Sequence, residues 1–316
     1  MQFSVYQQSH IGGRKLNQDR MGYLYTREAL LLVLADGMGG HLRGEIAATI
    51  ALQSLAARFK AQATPYVRKP ERFLEDALRQ AHDDILRYAR EHAMPETPRT
   101  TIVACLVQHN CAVWAHCGDS RLYWLRRGQV IGRTRDHSHI EYLIAKGQAD
   151  ASERATHPDR NKLYNCLGAS APPKVELSRQ ASLQPGDVLL LCSDGLWSVL
   201  PDTEIAHRLA AGAVVQAVPE MVAMATGIAG SRSDNVTALA IQWQGAGTPA
   251  TAADPSVVST QLVPEGEVAS RIDPGAAPDA APAADDPFDE DDIEKAIAEI
   301  RDAIEKSSQV LKPTNN

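Results

Sequence analysis

Leu30-Leu31-Leu32-Val33-Leu34-Ala35, followed by Asp36-Gly37-Met38-Gly39-Gly40-His41, is the stretch on which the reading of this chain turns. Six apolar residues in succession predict a buried strand. A carboxylate at its end carries a desolvation cost unless it is capped, paired or bound to a cation. The glycines that follow let backbone carbonyls approach a ligand closely. Two further aspartates have similar settings: Val188-Leu189-Leu190-Leu191 runs into Cys192-Ser193-Asp194-Gly195, and Ser233-Asp234-Asn235 precedes the strand-like Val236–Trp243. Any one of them alone also suits a turn or a helix cap. Together they have the donor chemistry of a site for hard divalent cations, with Asp36 as the carboxylate best placed to bridge two ions.

The rest of the chain bounds what such a site can belong to. Of 316 residues, 44% are hydrophobic and 22% charged, which is ordinary for a globular protein with a sizeable core. The start, Met1-Gln2-Phe3-Ser4-Val5-Tyr6, lacks the basic-then-apolar pattern of a secretory signal, and no apolar run reaches bilayer-spanning length. A cytoplasmic, membrane-free protein is expected. Five cysteines without CxxC spacing, Cys105, Cys111, Cys117, Cys166 and Cys192, read as reduced core thiols. The net charge of −7 is uneven: 15 acids and 5 bases lie from Gly245 onward, leaving 24 acids and 27 bases in residues 1–244. No basic stripe with interleaved aromatics marks the body, so nucleic acid is not expected as a partner.

Residues 1–244 read as one domain. Amphipathic helices are predicted near Gly44–Ala61 and Glu71–His92, strands at Ile102–Gln108, Ala112–Cys117, Arg121–Arg126, Val175–Ala181 and Val188–Cys192, and helices at Asp202–Ala211 and Val214–Ala229. Strands and helices in blocks predict an α+β domain of antiparallel sheets with helices outside them. A polar segment at about 137–172 interrupts the pattern. After Trp243 the composition turns to Ala, Pro, Gly, Thr and Asp, and residues 245–287 read as a disordered linker that buries too little apolar area to offset its ordering entropy. Ile293, Ile297, Ile300 and Ile304 then form a helical stripe within an acidic segment at 288–307, before a tail at 308–316. The stripe suits either a solvated helix or a docking partner.

In order along the body stand Arg14-x-x-Asn17-Gln18-Asp19, Asp36-Gly37-Met38-Gly39-Gly40-His41 with Gly44-Glu45-x-Ala47-Ala48, Thr100-Thr101, Gly118-Asp119-Ser120-Arg121, Asp136-His137-Ser138, Ser193-Asp194-Gly195 and Ser233-Asp234-Asn235. This set resembles the metal-dependent protein phosphatases of type 2C, the PPM family, and its bacterial members most of all. The resemblance implies an antiparallel β-sandwich flanked by helix pairs, in α-β-β-α layers, with two Mg²⁺ or Mn²⁺ ions in a cleft at one end. By the same resemblance Asp36 would bridge both ions, Asp194 and Asp234 would complete one site, and the Gly37 carbonyl would serve the other, with Asp19 acting through water. Asp119 would hold a third, weaker ion. Arg14 would grip two phosphate oxygens with its planar fork.

The chemistry implied is hydrolysis of phosphoserine and phosphothreonine by a water that bridges the two ions and attacks phosphorus in line. Arg14 and Asp36 are then the catalytic residues. Phosphorylated proteins, a cognate serine/threonine kinase and a partner for the acidic helix are the expected partners. Two other readings share the motifs: an inactive phosphatase-fold binding protein, and a phosphatase of small phosphate esters. Two positions depart from the family pattern. Gln18 stands where many members have Glu, and Met38 where some eukaryotic members have a histidine proposed as general acid. His41 and metal-held water are the alternatives for that proton. The segment at 137–172, with Asn161 and Leu167-Gly168, matches the family's mobile flap.

Overall fold

The structure is a computed structural model that describes residues 1–38, 43–155, 157–159, 162–245 and 269–270. In chain order the elements are β1 (Gln2–His10), β2 (Asp19–Tyr25), β3 (Ala29–Asp36), α1 (Gly44–Gln62), α2 (Pro70–Glu91), β4 (Ile102–Gln108), β5 (Cys111–Cys117), β6 (Arg121–Arg126), β7 (Gln129–Arg133) and α3 (His139–Ala145). There follow β8 (Glu176–Leu177), β9 (Ala181–Ser182), β10 (Val188–Cys192), α4 (Asp194–Trp197), α5 (Asp202–Ala211), α6 (Val214–Ala229), β11 (Val236–Gly245) and β12 (Ala269–Ser270).

Two antiparallel sheets result. One has the order β1-β11-β10-β6-β7, the other β12-β2-β3-β4-β5-β8, with β9 also pairing β5. The continuous apolar run in β3 follows from its place between two cores. Leu30, Leu32 and Leu34 join the inner core with Val103, Cys105, Leu189, Leu191, Leu239, Ile241 and Trp243. Leu31, Val33 and Ala35 face the other way, toward Leu55 and Phe59 of α1 and Leu74, Leu78 and Ile85 of α2. A third core packs Leu190, Cys192, Val236 and Ala238 against Ile205 and Leu209 of α5 and Val218, Met221 and Val222 of α6. Antiparallel sheets commonly leave one face in water and alternate in sequence. Here helices cover both outer faces, so alternation disappears from the central strands. The expected α-β-β-α sandwich is what these residues build.

The predicted strand at Val175–Ala181 is two short strands instead. Ser178 breaks off to bond β5, its Oγ accepting from Trp114 N–H (2.9 Å) and its N–H donating to Trp114 O (2.9 Å), and Leu177 and Ala181 pair with β5 on either side. Strand β7 is exposed or half-buried throughout and holds only the pair Val130-Ile131, too short an apolar run to mark a strand in sequence. All five cysteines are free, and four are buried. No helix among the described residues is long and apolar enough to cross a membrane. Of the expected linker, Ala269 and Ser270 pair with Tyr25 and Leu24; the rest of it and the stripe at 288–307 lie outside the described residues.

Candidate functional site

Both sheets bring aspartates to one place. The β2–β3 register sets Asp19 opposite Asp36. Asp194 follows β10, Asp234 precedes β11, and Asp119 sits in the short connection from β5 in one sheet to β6 in the other.

Backbone and hydroxyl bonds hold each carboxylate's strand end. Asp36 O accepts from Thr101 N–H (2.8 Å) and from Thr100 Oγ1 (2.8 Å), while Asp36 N–H donates to Thr101 Oγ1 (3.2 Å). The same Thr101 hydroxyl shares a 2.6 Å hydrogen bond with Ser120, which ties the Asp36 end to the Asp119 turn. Ser193 Oγ donates to Asp19 Oδ2 (2.8 Å) and its backbone pairs with Thr237, so one sheet's loop orients the other sheet's acid. Asn235 clamps the loop that carries Arg14: its amide donates to the carbonyls of Ile11 (2.9 Å) and Leu16 (3.0 Å), and its Oδ1 accepts from Gln18 N–H (2.8 Å). Glycines allow the closest approaches, since a Cβ on Gly37 would stand 2.4 Å from the Gly44 carbonyl carbon and one on Gly195 2.0 Å from Asn235 O.

The electrostatics of this cluster are unfavourable without a cation. Burial, followed by repulsion from Asp19 and Asp194, holds the Asp36 carboxyl well above the usual carboxylate range. Asp194 is displaced in the same direction by burial and by Asp119 and Asp234. Burial pushes Asp119 up to about 7, with Asp136 adding to the rise. Asp19 is pushed up to about 6, again by burial first. Its Oδ1 is buried and accepts no hydrogen bond. An orphaned carboxylate oxygen among acids that raise one another's pKa, with oxygen donors only, fits hard divalent cations.

Arg14 is placed in this cluster, but on Asp234: Nε donates to Oδ1 (2.8 Å) and Nη2 to Oδ2 (2.7 Å), with side chains 58% and 38% exposed. Gln18 faces Glu45, donating from Nε2 to Oε2 at 3.1 Å. Met38 is half-buried and its N–H donates to Arg99 O (3.0 Å). His41 and Asn161 lie outside the described residues.

Sequence reasoning missed the residues that position the acids: Ser193, Asn235, Thr237 and Ser120. Three of these, Ser120, Ser193 and Asn235, adjoin motif aspartates, and that adjacency is the signal that was available. Another group, His116, His137 and Glu176, brings ligand-type atoms within 4.8 Å of one another. Gly118 N–H (3.1 Å) and the Asn165 amide (2.7 Å) both point at His137 Nδ1, with the amide's orientation set by its two bonds to Lys174. The His137 proton therefore sits on Nε2, facing Glu176 at 3.3 Å, which makes that pair a hydrogen bond bracing the Asp119 turn.

A family model described as protein phosphatase 2C matches residues 6–227. The serine/threonine phosphatase stp of Listeria monocytogenes is 31% identical over 198 residues, 62% of this chain and 78% of that one. The solved structure of serine/threonine phosphatase Stp1 from Staphylococcus aureus matches at 30% identity with a TM-score of 0.71, covering 78% of this chain and 96% of that one. The catalytic domain of the serine/threonine protein phosphatase PstP, solved in complex with two manganese ions, matches at 29% identity and TM-score 0.64, over 76% and 97% of the two chains.

Proposed function

The chain belongs to the protein phosphatase 2C family and is a serine/threonine phosphatase, and from that premise we propose that the aspartate cleft is its catalytic centre. The observation that carries the proposal is the excess of buried carboxylate charge. Asp19, Asp36, Asp119 and Asp194 are all driven toward protonation, first by burial and then by neighbouring carboxylates, Asp234 among them in each case, and Arg14 engages Asp234.

Asp36, Asp194, Asp234 and the Gly37 carbonyl are the residues that would hold two Mn²⁺ or Mg²⁺ ions, with Asp19 orienting water beside them and Asp119 serving a third, weaker ion. Two such ions, when bound, supply Lewis acidity toward the phosphoryl oxygens and lower the pKa of the attacking water. The protein's own part is positional. Thr100 and Thr101 fix the direction of Asp36, Ser193 fixes Asp19, and Asn235 fixes the loop that presents Arg14. Arg14 exchanges Asp234 for the substrate phosphate, and the exchange is inexpensive because an exposed ion pair is worth about 1 kcal/mol or less. Its planar fork then holds two equatorial phosphoryl oxygens and leaves the axis of attack clear.

The substrates on this reading are phosphoserine and phosphothreonine in proteins, so the enzyme is read as the counterpart of a serine/threonine kinase. Five free thiols suit a reducing, cytoplasmic setting. The isoleucine stripe at 288–307 is read as a docking helix.

The test is hydrolysis of a phosphothreonine peptide by the full chain with Mn²⁺, with Mg²⁺ and with EDTA, beside Asp194→Asn. Metal-dependent turnover that disappears in the variant is expected. Wild-type turnover by Asp194→Asn, or turnover indifferent to EDTA, overturns the assignment.

A further inference from the structure

A cavity of about 540 Å³ shares Asp194 and Asp234 with the carboxylate cluster and extends over Trp197 to Arg133, Arg154 and Arg232. The pairing of its arginines is uneven. Arg121 is buried against Asp136 in a bidentate pair (2.8 and 2.7 Å) and lies 3.6 Å above the Trp197 ring. Arg133 pairs with Asp202 at 2.9 Å, and Arg154 with Glu141. Arg14 takes Asp234. Arg232 is exposed and has no anionic partner among the described residues.

Its backbone, in contrast, is held. Arg232 ends the short turn Gly230–Arg232; Ser233 N–H donates to Gly230 O (3.0 Å) and Gly13 N–H donates to Ser233 O (2.9 Å). Gly12 and Gly13 pack so closely on this turn that a Cβ there would stand 2.0 Å from Asp234 O and 2.2 Å from Ser231 O. A fixed Cα with an unpaired guanidinium at the wall of a catalytic cleft is the arrangement of a recognition group.

We propose that Arg232 is a specificity residue that reads a second anionic group on the substrate, an acidic side chain or a second phosphate near the phosphorylated residue. The proposal rests on the phosphatase reading of the same cleft. Charge counting gives the sign. With divalent ions on Asp194 and Asp234, Arg14 is released to the reacting phosphate, the Arg121, Arg133 and Arg154 pairs stay neutral, and Arg232 remains as uncompensated positive charge. Geometry gives the range. Arg232 stands two residues from Asp234, so their Cα atoms are at most about 7 Å apart, and an extended arginine side chain adds about 6 Å, an upper limit of roughly 13 Å that comfortably includes three residues of extended peptide.

The experiment uses the full chain with saturating Mn²⁺ and one phosphothreonine peptide made in four forms, with Glu, phosphoserine, Gln or Lys within three residues of the phosphothreonine. p-Nitrophenyl phosphate, which has no flank, is the fifth substrate, and each is measured with wild type and with Arg232→Gln. In wild type, kcat/KM for the Glu form exceeds that for the Lys form by roughly fivefold, the scale of an exposed ion pair together with the matching repulsion, and the gap narrows at high salt. Arg232→Gln removes most of that gap while p-nitrophenyl phosphate turnover stays within about twofold of wild type.

A phosphoserine form preferred over the Glu form identifies a second phosphate as the ligand; parity identifies a carboxylate. Equal kcat/KM for the Glu and Lys forms in wild type overturns the proposal, as does a preference that survives in Arg232→Gln. Failure to turn over any of the five substrates overturns the phosphatase reading itself.

Discussion

Replacing Gly195 by Ala should disable the cleft while leaving the fold standing. Gly195 follows Asp194 at the start of α4, and its missing side chain is where the Asp194 and Asp234 turns touch. A Cβ there would stand 2.0 Å from Asn235 O, 2.9 Å from Asn235 C and 3.2 Å from a Val236 methyl. The carbonyl belongs to backbone and cannot rotate out of the way as a flexible side chain would. Restoring an ordinary contact of about 3.3 Å requires a displacement of roughly 1.3 Å between the two turns, and misplacing catalytic groups by about 1 Å costs on the order of 100-fold in rate. We expect kcat/KM on a phosphothreonine peptide to fall by about two orders of magnitude, with a matching rise in the Mn²⁺ concentration needed for half-maximal turnover. Overpacking costs about 1–3 kcal/mol, and each kcal/mol lowers Tm by about 2–4 °C in a domain of this size, so the variant stays folded at assay temperature. Circular dichroism melting alongside the metal titration separates the two effects. Wild-type turnover and unchanged Mn²⁺ half-saturation in Gly195→Ala would refute the claim that this contact sets the spacing of Asp194 and Asp234.

Asp136→Asn removes the bidentate carboxylate from the Arg121 guanidinium, 3% exposed, and leaves only Asp202 at 3.6 Å; breaking a buried pair costs about 3–5 kcal/mol, so Tm should fall by roughly 10 °C, and a drop under about 2 °C would contradict it. Gly227→Ala, where a Cβ meets nothing within 4 Å on α6, should instead stabilise by about 0.5–1 kcal/mol in urea unfolding with activity unchanged. Mn²⁺ affinity should rise between pH 6 and pH 8, by up to about tenfold per pH unit for each proton displaced, because Asp19 and Asp119, raised to about 6 and about 7 chiefly by burial, hold protons that the metal must expel. The sign for the metal-free fold agrees: a carboxyl raised above its unfolded value near 4 contributes stability that is complete below that value and lost as pH climbs through about 6 and then about 7. His137, pushed down to about 4 mainly by burial, acts in the opposite direction in both forms, so comparing Mn²⁺-loaded with EDTA-treated protein by calorimetry isolates the carboxylates. An affinity flat across that range would refute the coupling.

Much of the architecture was legible because its central strands are buried on both faces. Leu30–Ala35 and Val188–Leu191 could be read as strands with acids at their ends, and the helices at Gly44–Gln62 and Pro70–Glu91 were bounded to within a residue. Elements with little burial were not legible. Strand β7 packs only Val130 against a core and leaves Ile131 exposed, and the split at Ser178 depends on a bond to Trp114, 64 residues away. Within the cleft, residue types revealed the acids but not their company. That Arg14 forks Asp234, 220 residues distant, or that Ser193 donates to Asp19, 174 residues away, follows from which strand ends meet and not from anything local to either residue.

The topology explains why the acids must be managed at all. Asp19 and Asp36 come from one sheet, Asp194 and Asp234 from the ends of β10 and β11 in the other, and Asp119 from the connection between them. Repulsion among these carboxylates therefore acts across the inner core and opposes closure of the sandwich at that end. The Ser193–Asp19 and Thr101–Ser120 hydrogen bonds are the ties between the sheets that resist it, while the close approach of Gly195 to Asn235 joins the β10 and β11 turns within one sheet. Each tie uses an uncharged hydroxyl, of Ser193 or of Thr101 and Ser120, so the contacts that hold the sheets together also fix the spacing between aspartates from different sheets. A divalent ion bound there would add its energy to this closure, and metal affinity and sandwich stability become one linked quantity. Stability opposed by function at a cluster of strand ends is the expected cost of building a cation site from two sheets that must otherwise pack on apolar surface alone.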